Sequence, residues 1–276
     1  MNHLLLYLSY PFVQYAFIVT VCISICTSLL GVVLILKHYS YIGDGLSHVA
    51  FGTMSIAAVS GLSNDIFLTL PCTCLAAIIL LWGKSRIKGD AGIALISVSS
   101  LGMGYLIMNV FGKKANLSGD VCASLFGATS ILTLSFEKVI ISILLSICLI
   151  ILFIFLHKHI FALTFDEDFC QASGMNTKFY NLLIALIIAF VIVLAMNLVG
   201  SLLISALIIF PALSAMRLYH NFKAVTICSA LISIFCSICG LISSIIIGSP
   251  VGSTIVLVDI IVFTCFWLKE KIEGTK

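Results

Sequence analysis

The chain has 276 residues, 62% of them hydrophobic and 9% charged, with a formal net charge of +3. Soluble domains are about half apolar and about a quarter charged, so a water-soluble fold is excluded and the bilayer must be the solvent. The charge is no nucleic-acid signal either, because the 14 Lys and Arg lie at the ends of apolar runs rather than in one patch.

A spanning helix takes about 20 apolar residues, so this length supplies roughly eight to ten of them. Apolar runs and charged breaks predict an all-α polytopic bundle of about eight or nine spans, for which nine segments can be marked. The first runs from about Phe12 to Leu36 and stops at Lys37-His38. The second starts near Asp44 and reaches Gly61; the third, Ile66 to Trp82, carries Pro71. A basic loop with Lys84, Arg86 and Lys88 leads to the fourth, Ala91 to Phe111. The connection from Gly112 to Glu137 is longer, and its middle, Val121 to Leu134, reads as a short or re-entrant helix. The fifth span is Lys138 to Leu156, followed by a mixed-charge loop from His157 to Lys178. The sixth is Phe179 to Leu198, and the seventh, Ser201 to Met216, is expected to kink at Pro211. The eighth is Ala224 to Ile247 and the ninth Ser253 to Leu268, joined by a turn at Gly248 to Gly252. No linker or low-complexity tract interrupts the series, so residues 1–276 read as one membrane domain.

Charge orients the bundle. With the N-terminus outside and nine alternating spans, eleven of the 14 basic residues fall inside and three (Lys113, Lys114, Lys138) outside. The positive-inside bias therefore predicts an outside N-terminus and an inside C-terminus. The N-terminus has no basic n-region and does not read as a cleaved signal peptide. Most of the 11 cysteines sit in apolar runs as small fillers rather than as a disulfide framework; Cys236 and Cys239 have C-x-x-C spacing but no second such pair.

Ionisable residues inside spans are costly and mark a pathway or cavity. Asp44 and His48 are four apart, which on a helix puts both on one face. A carboxylate and an imidazole together suit Zn²⁺, Mn²⁺ or Fe²⁺, and two such helices from two subunits would supply four ligands. The competing reading is structural: Asp44 complements a helix N-terminus, with His48 as its hydrogen-bonding partner. Gly43 and Gly45 ease a broken or close-packed helix start. Asp259, in the last span, is the second candidate, either a ligand or a carboxylate buried against small hydroxyls. Asn197, Ser201 and Ser205, around the break between spans six and seven, read as helix-packing glue. The loop segment Phe165-Asp-Glu-Asp-Phe-Cys-Gln-Ala-Ser-Gly174 predicts a short helix with an acidic start and a glycine stop, either a solvated connector or a docking element for a cytosolic partner. There is no P-loop, no H-E-x-x-H and no G-x-S-x-G, so nothing in the chain calls for an enzyme.

These segments together resemble the zinc- and manganese-type ABC transporter permeases (ABC-3 type). Leu30 to His48 looks like that family's LLGV-type helix end followed by G-D-x-x-S/A-H. Ser124-Leu-Phe-Gly127 is similar to its short L-F-G element and Thr164 to Gly174 to its cytosolic coupling segment. Val199 to Ala215 resembles its VGxLLxxxLLIxPAxxA helix, and Ser249 to Leu257 its P-x-G-x-x-I/V-V-L stretch. Asp259 departs from the pattern, where an uncharged residue is expected.

The resemblance implies a multi-pass permease of the cytoplasmic membrane that works as a homodimer. Two cytosolic ATPase subunits would dock on a coupling segment at about residues 157–178 through Asp166, Glu167, Ala172 and Gly174. An extracytoplasmic metal-binding protein would deliver the ion. Asp44 and His48 would be transient ligands on the path. The chain is expected to hold no permanent cofactor: Zn is the first-choice cargo and Mn the second, with ATP consumed by the partner subunits. Membrane lipid is an expected partner and nucleic acid is not. A gradient-driven secondary metal transporter is the alternative, for which more intramembrane acids and paired broken helices are expected.

Overall fold

The computed structural model describes residues 10–61, 65–82, 90–111 and 136–273, and of residues 81–82, 90, 138, 197 and 198 the backbone alone. Ten helices and no strand occur among the described residues: α1 (Pro11–Leu36), α2 (Ile42–Val59), α3 (Ile66–Trp82), α4 (Asp90–Phe111), α5 (Phe136–Phe165), α6 (Glu167–Ala172), α7 (Thr177–Val199), α8 (Ser201–Leu218), α9 (Phe222–Ile247) and α10 (Val251–Glu273). The nine long helices coincide with the nine expected spans. Seven are long and apolar enough to cross a membrane by themselves. The other two are α3, a 17-residue apolar helix, and α2, which carries Asp44 and His48. Most residues of α2 are buried within the chain, so it has less need of an apolar surface. The basic loop at 84–88, the segment 121–134 and Ser124 to Gly127 lie outside the described residues.

One boundary differs clearly from expectation. The fifth span does not stop at Leu156: α5 continues to Phe165, because Lys158 and the two flanking histidines interrupt apolarity without interrupting helix propensity, and Ile160 and Leu163 keep a buried face going. The seventh span keeps its expected course: α8 runs through Pro211 to Leu218.

Small residues and hydroxyls hold the helices together, as expected where lipid tails leave no hydrophobic drive for association. A Cβ on Gly31 of α1 would lie 2.0 Å from the Ile208 carbonyl oxygen of α8. One on Gly52 of α2 would lie 2.8 Å from the Ser100 carbonyl oxygen of α4, and one on Gly104 2.9 Å from the Gly52 Cα. These close approaches set α1 against α8 and α2 against α4. Along the α1–α9 seam, Ser233 Oγ donates to the Ser24 carbonyl (3.0 Å) and Ser229 Oγ to that of Ser28 (3.5 Å).

One end of the bundle gathers the basic residues. There Lys37, at the end of α1, donates to Asn181 Oδ1 at the start of α7 (2.7 Å), and Asn181 Nδ2 donates to Glu167 Oε1 of α6 (2.7 Å). Phe222, at the start of α9, packs on Phe161 and Phe165 at the end of α5. Arg217, at the end of α8, pairs with Glu270 near the end of α10. Lys158, Lys178, Lys223, Lys269 and Lys271 belong to the same helix ends.

Candidate functional site

The helical spacing of Asp44 and His48 becomes a contact: His48 Nε2 lies 3.4 Å from Asp44 Oδ1. Asp44 sits in the first turn of α2, where the aligned peptide dipoles favour an anion. The glycines beside it serve close packing rather than a break, since α2 is helical from Ile42. A Cβ at Gly43 would meet the Ile208 side chain at 2.8 Å, and one at Gly45 the Ile93 side chain at 2.9 Å.

Two further helices supply the carboxylate with donors. Ser205 Oγ of α8 donates to Asp44 Oδ1 (3.2 Å) and Ser97 Oγ of α4 to Asp44 Oδ2 (3.5 Å). Such outer partners orient a ligand and tune its basicity. The carboxylate is nonetheless 43% exposed and the imidazole 19%, so the pair opens to a space beyond the chain's own core. His48 Nδ1 is buried with no hydrogen-bond partner. One oxygen and one nitrogen donor can hold a hard-to-borderline divalent ion loosely. Among the described residues no group of three or more His, Cys, Asp and Glu side chains comes together, so the pair stands as two donors without a third beside them.

Asp259 stands apart. It is 1% exposed, on α10, with neither carboxylate oxygen hydrogen-bonded. Its neighbour is the Cys236 thiol of α9, and α10 packs on α8 and α9 rather than on α2. Of the residues read as packing glue, Ser201 is buried without a hydrogen-bond partner, whereas Ser205 is the donor to Asp44. Ser97 had no signal at all: it is one of many serines in apolar helices, and only the α2–α4 crossing brings it to the carboxylate.

The loop reading becomes a built element. Asp166 caps α6, its Oδ1 accepting from Phe169 N (2.8 Å). Ala172 ends the helix and Gly174 turns the chain at φ +83°, a conformation that favours glycine. The Glu167–Asn181–Lys37 chain ties α6 to the turn immediately before α2. Burial pushes the Lys37 ammonium below its ordinary pKa, and the Glu167 carboxylate counteracts that.

Residues 9–269 match the ABC 3 transport family. The chain is 29% identical over 256 residues to the manganese import system permease protein ScaB of Streptococcus gordonii, covering 92% of this chain and 90% of that one. It is 28% identical over 268 residues to the manganese transport system membrane protein MntC of Listeria monocytogenes, covering 97% and 94%. Among solved structures, PsaBC from Streptococcus pneumoniae in complex with Fab superposes with a TM-score of 0.82 at 29% identity, over 94% of this chain and 92% of that chain.

Proposed function

The chain belongs to the ABC 3 transport family, and we propose that it is the permease subunit of an importer for a divalent transition metal, energised by separate ATPase subunits. The observation that carries this reading is the Asp44–His48 contact on α2, steadied by hydroxyls from α4 and α8 and left partly open. The sequence put zinc ahead of manganese. Both metals are compatible with an oxygen and a nitrogen donor, and relatives named for manganese move manganese ahead, with iron and zinc behind it. A gradient-driven carrier is disfavoured by the family.

In the mechanism we propose, residues 1–276 form one permease domain and two copies bring their α2 helices together, so that Asp44 and His48 of each complete a four-ligand set. An extracytoplasmic metal-binding protein delivers the ion there. Two protein ligands per subunit bind weakly enough to release it. Asp259 is not a path ligand in this scheme, because its helix packs mainly on α8 and α9. Within the segment 157–178 the part after α5 faces the ATPase, with Asp166, Glu167, Ala172 and Gly174 shaping the docking helix. Movement of α6 reaches the metal pair through Glu167, Asn181 and Lys37, since the turn after Lys37 leads into α2.

The test is ATP hydrolysis by the reconstituted permease, ATPase and binding protein, with manganese, iron and zinc compared. Manganese should stimulate it most; no stimulation by any of the three would remove the importer reading. With Asp166→Asn and Glu167→Gln together, co-purification of the ATPase subunit should fall several-fold, and unchanged recovery would remove α6 from the docking surface.

The basic end of the bundle is assigned to the cytoplasm, which puts the N-terminus outside and the C-terminus inside. A reporter active only outside should work when fused to the N-terminus and be silent at the C-terminus. The opposite pattern would invert the scheme.

A further inference from the structure

At the basic end, two neighbouring cavities of about 450 Å³ each share His157, Lys158 and Lys223 as lining. One extends along the bundle between α1, α5 and α9 and is apolar, walled by Leu29, Ile150, Ile154 and Ile227. The other opens beneath the start of α9, beside Asn221 and Phe222. We propose that they form one binding site for an anionic phospholipid, its acyl chain in the first cavity and its phosphate in the second.

Three observations converge on an anion at the head of this groove. Lys158 and Lys223 both face it, and no carboxylate is among the residues lining either cavity. His157 Nε2 is buried there with no hydrogen-bond partner; its ring is held edge-on against Phe222 (5.3 Å between centroids). The 26-residue α9 begins at the same place, and its N-cap Asn221 makes no side-chain cap. The first N–H groups of a helix lack intrahelical partners and present a partial positive charge.

The remainder of the groove favours a lipid over any water-borne anion. Ile154 is 68% and Ile227 63% exposed, which in a membrane-spanning bundle means exposed to acyl chains. From Ile150 to Phe161 the groove follows α5 for about 16 Å at 1.5 Å per residue, close to one leaflet of a hydrocarbon core about 30 Å thick. Basic pockets between spanning helices at the membrane edge suit anionic headgroups. The site requires only that the chain spans a membrane, so it stands or falls independently of the metal reading.

The experiment is native mass spectrometry of the purified full-length chain, delipidated and titrated with phosphatidylglycerol or phosphatidylcholine. The wild type should bind phosphatidylglycerol about 30-fold more tightly, the contribution of two lysines near a charged headgroup. Lys158→Gln with Lys223→Gln should lose that preference. The double Lys→Arg variant should keep it, which separates charge from misfolding. Lys178→Gln, at the same end but off the groove, should also keep it. A preference that survives the double Gln variant, or that Lys178→Gln abolishes equally, overturns the site. So does displacement of the lipid by equimolar inorganic phosphate. Loss of ATPase-subunit binding in the double Gln variant, with lipid preference intact, would make the groove a protein interface and equally overturn the proposal.

Discussion

Asp44→Ala and His48→Ala should each abolish growth rescue in a manganese-limited host that lacks its own importer, while the protein is still made and inserted. The expected fall in manganese uptake is at least about 10- to 100-fold, the range seen when even the outer partners of metal ligands are removed. The reasoning is geometric. With only two ligand-competent side chains in reach, loss of either leaves one donor per chain, and no other His, Cys, Asp or Glu among the described residues stands close enough to replace it. Ser205→Ala should be milder. It removes one donor at 3.2 Å and leaves Ser97 to hold the other oxygen, so Asp44 is misoriented rather than lost. Uptake is measured with radiolabelled manganese at matched membrane expression. Normal uptake by both alanine variants would show that the pair is a structural hydrogen bond at a helix start and nothing more.

The second large effect is on folding. Gly31→Leu cannot be accommodated by side-chain motion. The atoms it meets at 2.0 and 2.9 Å are the carbonyl oxygen and carbon of Ile208, so α1 and α8 must separate. Overpacking in a tight core costs about 1–3 kcal/mol and sometimes more, and a clash of backbone against backbone belongs at the upper end. The damage spreads to function, because Ile208 also packs over Gly43, one residue from Asp44, and Ser205 lies one turn away on the same helix. Even Gly31→Ala should lower thermal stability in detergent, read by size-exclusion fluorescence. Gly102→Ala is the control: open space surrounds its Cβ position, and a change within about 0.5 kcal/mol is expected there. Equal tolerance at both positions would mean that the α1–α8 contact does not set the packing.

The same two sites separate what a linear pattern reveals from what it hides. Gly43, Asp44, Gly45 and His48 form a local pattern, and helical periodicity alone puts the two ligands on one face. Gly31 lies within a motif, yet its reason is a partner 177 positions away in the chain. The acidic loop is readable as a capped short helix because Asp166, Ala172 and Gly174 act over one or two turns. The link from Glu167 through Asn181 to Lys37 is not, because each step joins different helices.

By itself the sequence determined that this is an all-α membrane protein and where its long helices lie, with most boundaries within a few residues and the end of α5 nine residues short. It also determined that Asp44 and His48 share a face. The physical reason is that lipid offers no hydrogen bonds, so every spanning segment must satisfy its backbone within itself, and apolar length and helical period are then sufficient to read. Tertiary structure decided everything that depends on which helices touch. It turned Ser97 and Ser205 into partners of Asp44, set Asp259 apart on α10, and gathered Lys158, Lys223 and the start of α9 around one groove. Contacts between spans are set by small residues and single hydroxyls, which are too common in apolar helices for any one sequence position to announce its partner.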